Sequence, residues 1–137
     1  MKELRIEATL ENLDNVLAFV DAGLEEQDCP IKVQMQLDVA VEELYVNISH
    51  YAYAPDTGQA VIEFDYNEDT GIVKITFKDS GTPFDPTAKA DPDTTLSAAE
   101  RQIGGLGIYM AKKSTDEMSY EYKDNMNILS IFKKLQK

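Results

Sequence analysis

The stretch VEELYVNISHYAY, from Val41 to Tyr53, has the spacing of an amphipathic helix. Its apolar residues, with one upstream leucine, recur every three or four positions and form a single stripe: Leu37, Val41, Leu44 and Ile48. At about 100° per residue, Glu43 and Asn47 lie together on the flank of that stripe, one helical turn apart. We therefore predict a helix from about Ile31 to Tyr51 that holds an acid and an amide at the margin of its buried face.

Composition and charge limit the kind of protein. The chain has 137 residues, of which 43% are hydrophobic and 28% charged, and this suits one folded domain covering residues 1–137. The formal net charge of −12 argues against nucleic acid or an anionic membrane as a partner, because like charges repel. An anionic ligand would need local help from a helix N-terminus or a divalent cation.

The sequence also predicts a cytoplasmic location. No apolar run reaches the roughly 18 residues that a membrane span needs. The polar start MKELRIEATLENL does not have the pattern of a signal peptide. A single cysteine, Cys29, excludes an internal disulfide and fits a reducing compartment.

Periodicity predicts five strands and two further helices around the first one. The strands are ELRIEATL, QAVIEFDY, GIVKITFKD, EMSYEYKD and MNILSIFKKL, and the helices are ENLDNVLAFVDAGLEEQ and GIYMAKKSTD. We expect the last two strands to form a hairpin that turns at Asn125. The order β-α-α-β-β-loop-α-β-β favours an α+β fold, a two-layer sandwich with helices on one face of a mixed, largely antiparallel sheet.

The segment from Ser80 to Gly107 is irregular except for a short helical patch at SAAERQ, and such long irregular segments mark lids or binding loops. At its start, DSGTPFDP places Asp79 at the end of a strand. At its end, IGGLGIYMAKK places Gly104, Gly105 and Gly107 at the opening of a helix. Glycines there allow close backbone approach, and the helix N–H groups attract anions, which predicts a phosphate site. Taken alone, these glycines are equally compatible with a tight turn.

Two common phosphate motifs are excluded. No Gly-Lys-Ser/Thr follows the glycines, so the segment is not a Walker loop, and neither its spacing nor the preceding loop fits a Rossmann fingerprint. The combination of Glu43-x-x-x-Asn47, Asp79-Ser80-Gly81 and Gly104-Gly105-Leu106-Gly107-Ile108 instead resembles the GHKL ATPase superfamily. Within it, the chain is most similar to the bacterial anti-sigma-factor serine/threonine kinases. The resemblance covers essentially the whole chain and implies the histidine-kinase-like ATPase, or Bergerat, fold.

The resemblance implies a role for each motif. Asn47 would hold a Mg²⁺ ion that also binds the phosphates of ATP. The side-chain oxygen of its amide is a ligand that suits this cation. Glu43 would act as general base on the attacking hydroxyl. Asp79 would accept a hydrogen bond from the exocyclic amine of adenine, and Gly81 would leave room for the base. The backbone of the glycine-rich segment would hold the phosphates: Gly104, Gly105, Leu106, Gly107 and Ile108.

The same resemblance implies a lid at about residues 83–104, a homodimer, and two partners, a sigma factor and a STAS-type anti-sigma antagonist protein. Departures from the family pattern are also present. Tyr51 stands where relatives often have histidine, and the only histidine, His50, precedes it. The closing hairpin of many members of the superfamily carries a Gly-Thr pair near the adenine, and the corresponding stretch of this chain is 125–129. Arg101 is a candidate for a phosphate contact from the lid.

Three functions are compatible with these residues. The leading hypothesis is an ATP-dependent protein kinase that phosphorylates serine or threonine on the antagonist. The second is a binding module of the same fold that is gated by nucleotide and has no turnover. The third, the ATP-binding half of a split histidine kinase, is disfavoured because no dimerising helical pair with a phospho-acceptor histidine is present.

Overall fold

The order of helices and strands follows the predicted one. A computed structural model describes residues 1–53, 56–88 and 105–135, with the backbone alone at Ala88, Gly105 and Leu106. Within these ranges the strands are β1 (Lys2–Glu7), β2 (Gln59–Asn67), β3 (Ile72–Asp79), β4 (Glu117–Lys123) and β5 (Met126–Lys134). The α-helices are α1 (Leu13–Glu26), α2 (Ile31–Tyr51) and α3 (Gly105–Ser114), and short 3₁₀ turns lie at Leu10–Asn12 and Pro86–Ala88. The predicted patch SAAERQ and most of the predicted lid lie outside the described residues.

Helix α2 is the central helix of the core. The predicted stripe is confirmed, because its side chains are at most 8% exposed: Leu37, Val41, Leu44 and Ile48. Tyr45 is also fully buried, and its hydroxyl donates to the carbonyl oxygen of Thr9 at 2.7 Å. Asp28, with φ of 52°, takes a left-handed conformation after α1, and Pro30 precedes the first turn of α2. These two residues separate the helices.

The sheet has the order β1-β2-β3-β5-β4, and its four pairings are all antiparallel. The prediction of a mixed sheet is therefore wrong for the described strands. The crossover through α3 makes β4 run in the same direction as β3. A parallel pair does not form because β5 pairs between them.

The three helices cover one face of the sheet, as expected for a two-layer α+β fold. Alternate residues of β2 and β3 point into a core shared with the helices: Ala60, Ile62, Phe64, Val73, Ile75 and Phe77. Helix α2 packs against both α1 and α3. Within residues 1–53, 56–88 and 105–135, none of the helices combines the length and the apolar character needed to cross a membrane.

The hairpin β4–β5 brings the C-terminal part of the sheet into register with β3. Asp124 and Asn125 both have positive φ, 54° and 62°, as in a two-residue type I′ turn, so the predicted turn is confirmed. The register then places Asn127 opposite Asp79 on the face that carries the helices.

Candidate functional site

A cavity of about 500 Å³ lies between α2, the end of β3 and the C-terminal hairpin. This volume is typical of small-molecule sites. Its walls are mostly apolar or aromatic, with Leu44, Ile48, Phe77, Phe84 and Leu129 among the lining residues. Two predicted site residues, Asn47 and Asp79, also line it. The cavity suits a flat apolar ligand that makes a few polar contacts.

Asp79 provides a buried carboxylate in this apolar wall. It is 4% exposed, and its Oδ1 accepts hydrogen bonds from the backbone N–H of Gly81 and from Nδ2 of Asn127, each at 2.9 Å. Among the described residues, none donates to Oδ2. Because an unsatisfied carboxylate oxygen is unfavourable in such surroundings, this oxygen favours a ligand that brings a donor.

Gly81 is placed against α2 rather than among the lining residues. A Cβ atom there would lie 2.1 Å from the carbonyl oxygen of Ala52. The next residue, Thr82, donates its N–H to that oxygen at 2.7 Å. The structure thus gives Gly81 a packing role, holding the loop after β3 close to the end of α2, and its predicted role beside the base stays a prediction.

Asn127 is a cavity residue in the stretch 125–129, within which the sequence argument singled out no residue. It is 7% exposed, and it contacts Asp79, the loop after β3 and Tyr120 through its amide. Burial raises the pKa of Tyr120, whose hydroxyl donates to Oδ1 of Asn127. The signal in the sequence was a polar residue at an inward position of an alternating strand, in phase with Leu129 and Ile131.

Asn47 and Glu43 occupy different parts of the flank of α2. Both are half-buried, as predicted. The Asn47 side chain lines the cavity and has no hydrogen bond to any residue that the structure describes. Glu43 is not a lining residue, and it lies where α2 meets the first turn of α3, against Gly107. The flank of α2 therefore contacts the cavity at Asn47 and the first turn of α3 at Glu43.

The first turn of α3 has backbone N–H groups that the helix itself does not use. The helix begins at Gly105, so the N–H groups of its first four residues, through Ile108, have no acceptor within the helix. The side chain of Ile108 is 2% exposed and anchors this turn in the protein. A helix start of this kind attracts anions in general, and the phosphate site predicted here stays a prediction. Gly104 and Arg101 lie outside the described residues.

Two further predictions concern α2 and a metal. His50 is exposed and contacts the ring of Tyr51, while Tyr51 lines the cavity.

Across the described ranges, no group of three or more His, Cys, Asp or Glu side chains could hold a metal ion. The free amide of Asn47 fits a Mg²⁺ ion whose other ligands come from phosphates and water.

Comparisons with known proteins show the family and the fold. The family model for the histidine kinase-like ATPase domain matches residues 6–133. The serine/threonine-protein kinase BtrW of Bordetella bronchiseptica is 25% identical over 100 residues, which make up 73% of this chain and 70% of that protein.

Solved structures share the fold. The structure of the RsbU and RsbW domains of Rv1364c from Mycobacterium tuberculosis superposes on all of this chain with a TM-score of 0.68 and 18% identity. The match spans 33% of that longer chain. In the SiaB–SiaC complex from Pseudomonas aeruginosa, the matching chain has a TM-score of 0.59 and 18% identity, with coverage of 95% of this chain and 88% of that one.

Proposed function

Because the chain belongs to the histidine kinase-like ATPase domain family, we propose that its cavity binds ATP for protein phosphorylation. The substrate would be a serine or threonine of a small STAS-type antagonist protein, and the unmodified antagonist would compete with a sigma factor for this chain. Two similar proteins support a kinase that acts on another protein. One is named a serine/threonine-protein kinase, and the other was solved in the SiaB–SiaC complex.

The observation that carries the proposal is the open Oδ2 of Asp79 in an apolar cavity. Adenine is flat and offers an exocyclic amine, which is the donor that this oxygen lacks. The aromatic and aliphatic walls would bury the rest of the ring, and Asp79 would fix its orientation.

The phosphates would extend from the cavity toward the start of α3. The N–H groups from Gly105 to Ile108 and the positive end of the helix dipole would bind them in a protein that is otherwise acidic. Asn47 would provide an amide oxygen to Mg²⁺, and when bound the ion would neutralise phosphate charge.

Glu43 lies close enough to this helix start to act on a hydroxyl brought there by the antagonist. The hydroxyl oxygen would attack the γ-phosphorus, and its proton would pass to the Glu43 carboxylate. The bond from the γ-phosphorus to the bridging oxygen would break, leaving ADP and a phosphorylated antagonist. A base in this position contributes about 10²- to 10⁴-fold to the rate.

A second candidate is a binding module that uses nucleotide without turnover. The observation in its favour is that Glu43 does not line the cavity but packs against Gly107. In that case Glu43 would be part of the α2–α3 contact, and nucleotide would control only the surface presented to a partner.

Phosphorylation of STAS-domain proteins from the same genome by radiolabelled Mg·ATP separates the two candidates. The wild-type chain should label one of them, and Glu43→Gln should reduce labelling by about 10²- to 10⁴-fold while ATP affinity stays nearly unchanged. Glu42→Gln, an exposed neighbour with the same charge change, is the matched control. Binding of ATP without labelling of any STAS protein would favour the binding module.

A further inference from the structure

Helix α2 has a row of exposed apolar side chains on the side away from its buried stripe. Ile31, Met35 and Val39 are 69%, 62% and 36% exposed, and they follow one another at intervals of four residues. At about 100° per residue, Val39 lies about 160° around the helix from the buried Leu37. Residues four apart are adjacent on a helix, so the three side chains form one continuous surface, the α2 row. Contiguous exposed apolar surface is typical of interaction sites.

The α2 row leads to the proposed base. The next two positions at intervals of four are Glu43 and Asn47, and Asn47 lines the cavity. Val39 precedes Glu43 by one helical turn, about 6 Å along the axis, and Ile31 precedes it by about 18 Å. The exposed apolar surface therefore ends one turn before the Glu43 carboxylate.

Glu43 has to be reached from outside the cavity. It is not a lining residue, and its carboxylate lies against Gly107 in the first turn of α3. With nucleotide in the cavity, the hydroxyl of a protein substrate would approach Glu43 over the neighbouring surface. Toward the N-terminus of α2, that surface is the α2 row.

The charge around the α2 row favours one kind of partner. From Glu25 to Glu43 the sequence has six acidic residues and one basic residue, Lys32. Nε2 of Gln34 in α2 lies 3.5 Å from a carboxylate oxygen of Glu25, so the acidic end of α1 adjoins the start of the row. A second copy of this chain would bring the same acidic surface and a net charge of −12, which disfavours self-association here. A partner with basic residues is complementary.

We propose that the α2 row is the docking surface for the protein whose hydroxyl Glu43 would deprotonate. This inference rests on the proposed function, and it adds where the protein substrate binds and what that substrate carries. The substrate would present an apolar segment with lysine or arginine residues around it, and its acceptor serine or threonine would lie at one end of that segment. Docking there would bring the hydroxyl to Glu43 and leave the cavity to the nucleotide.

The test measures labelling by Mg·ATP at a series of concentrations of the STAS-domain protein that the wild-type chain phosphorylates. Met35→Gln keeps the length and the helix propensity of the side chain but makes its end polar. We expect the KM for the STAS-domain protein to rise about 10-fold, because one apolar side chain is no longer buried favourably in the complex. The kcat and the KM for ATP should stay at the wild-type values.

A double variant, Ile31→Gln with Met35→Gln, should raise the KM for the STAS-domain protein further. Both side chains are exposed, so both variants should fold. Calorimetric titration of the ADP-loaded chain with the STAS-domain protein should show the same loss of affinity without turnover. The KM of the wild type should also rise with salt, because salt screens the attraction between an acidic surface and a basic one.

Two control variants separate the α2 row from a general effect of substitution. Met35→Leu keeps an apolar side chain in the row and should retain the wild-type KM. Leu10→Gln changes an aliphatic side chain that is 51% exposed on the 3₁₀ turn before α1, outside the row, and should also retain it.

The outcomes separate this inference from the proposed function. A wild type that labels no STAS-domain protein would overturn the proposed function and the inference with it. Labelling with a wild-type KM in both Met35→Gln and the double variant would overturn the inference alone. So would a KM that does not respond to salt, or a KM raised equally in Leu10→Gln. Sedimentation velocity of the chain alone tests a second copy as the occupant, and a wild-type dimer that dissociates in Met35→Gln would also overturn the inference.

Discussion

Gly107, in the first turn of α3, lies so close to Glu43 of α2 that a Cβ atom on it would be 2.2 Å from Oε2 of the carboxylate. The proposed base and the proposed phosphate helix are thus in direct contact, with no space for a side chain between them. The carboxylate is the far end of a flexible side chain, so it can move away when that space is filled.

Gly107→Ala should therefore alter function more than stability. The added methyl group displaces the Glu43 carboxylate, and we expect phosphorylation to fall by about 10- to 100-fold, as for a misplaced catalytic group. The free energy of unfolding should change by less than about 1 kcal/mol, since alanine favours the helix. Met110→Ala, at an exposed position of α3, is the control for urea unfolding and for labelling. If Gly107→Ala phosphorylated the antagonist at the wild-type rate, the reaction would not depend on the position of the Glu43 carboxylate.

Gly81→Ala should have the opposite result. Its added Cβ would meet the backbone oxygen of Ala52 at 2.1 Å, and backbone cannot rotate away as a carboxylate can. We expect a loss of about 1–3 kcal/mol in the free energy of unfolding, measured by urea denaturation. A variant as stable as the wild type would mean that the loop after β3 moves freely relative to α2.

Asp79→Asn tests the adenine contact. The amide must either turn its NH₂ toward the donors on Gly81 and Asn127 or present it to the adenine amine, and both arrangements lose a hydrogen bond. The affinity for ADP should fall by about 1–3 kcal/mol by calorimetry. Asp85→Asn changes the charge equally at a residue that does not line the cavity. Equal affinities in Asp79→Asn and the wild type would remove Asp79 from the site.

Asn47→Ala tests the metal ligand. Without the amide oxygen, Mg²⁺ should increase the affinity for ATP much less than it does in the wild type. The affinity for ATP in the presence of a chelator, which removes Mg²⁺, should change little. Ser49→Ala, which removes a hydroxyl bonded to the carbonyl oxygen of Val46 on the same helix, is the control. A Mg²⁺ dependence like that of the wild type would place the ion elsewhere.

A pair of carboxyl groups between α1 and α2 predicts a dependence of stability on pH. Burial, followed by a hydrogen bond and charge repulsion from Asp21 and by the charges of Glu25 and Glu42, raises the pKa of Asp38 to about 7. Oδ1 of Asp21 and Oδ1 of Asp38 are buried and have no hydrogen-bond partner among the described residues, and a proton on Asp38 would supply the donor that this pair lacks. The raised pKa means that the folded state holds this proton more tightly than the unfolded chain.

The contribution of this pair is therefore complete below about pH 4 and lost as the pH rises through about 7. Asp38→Asn keeps a hydrogen bond to Asp21 at every pH, so its unfolding free energy relative to the wild type should rise over that interval. Urea denaturation at a series of pH values measures the difference. Glu68→Gln, at an exposed turn, should show no such trend. A constant difference between Asp38→Asn and the wild type would mean that Asp38 does not titrate there.

Much of the fold could be predicted because it depends on local patterns. The stripe around Val41 specifies α2, and the half-buried flank of Glu43 and Asn47 follows from the same spacing. The place of β5 in the sheet could not be predicted, since alternation identifies a strand but not its neighbours. The stretch 125–129 was a candidate, but Asn127 was not singled out within it for the same reason, as its partner Asp79 is 48 positions away.

The cross-strand pairing of Asp79 with Asn127 also bears on how the chain folds. A shift of β5 by one residue would turn Asn127 to the opposite face of the sheet, so the cavity is complete only when the C-terminal hairpin has docked in register. Contacts between such distant segments form slowly, because the intervening chain must first be ordered. A nucleotide that binds only the completed cavity would stabilise the fully docked state over every earlier intermediate. Added during refolding, it would report the time at which the last strand pairs.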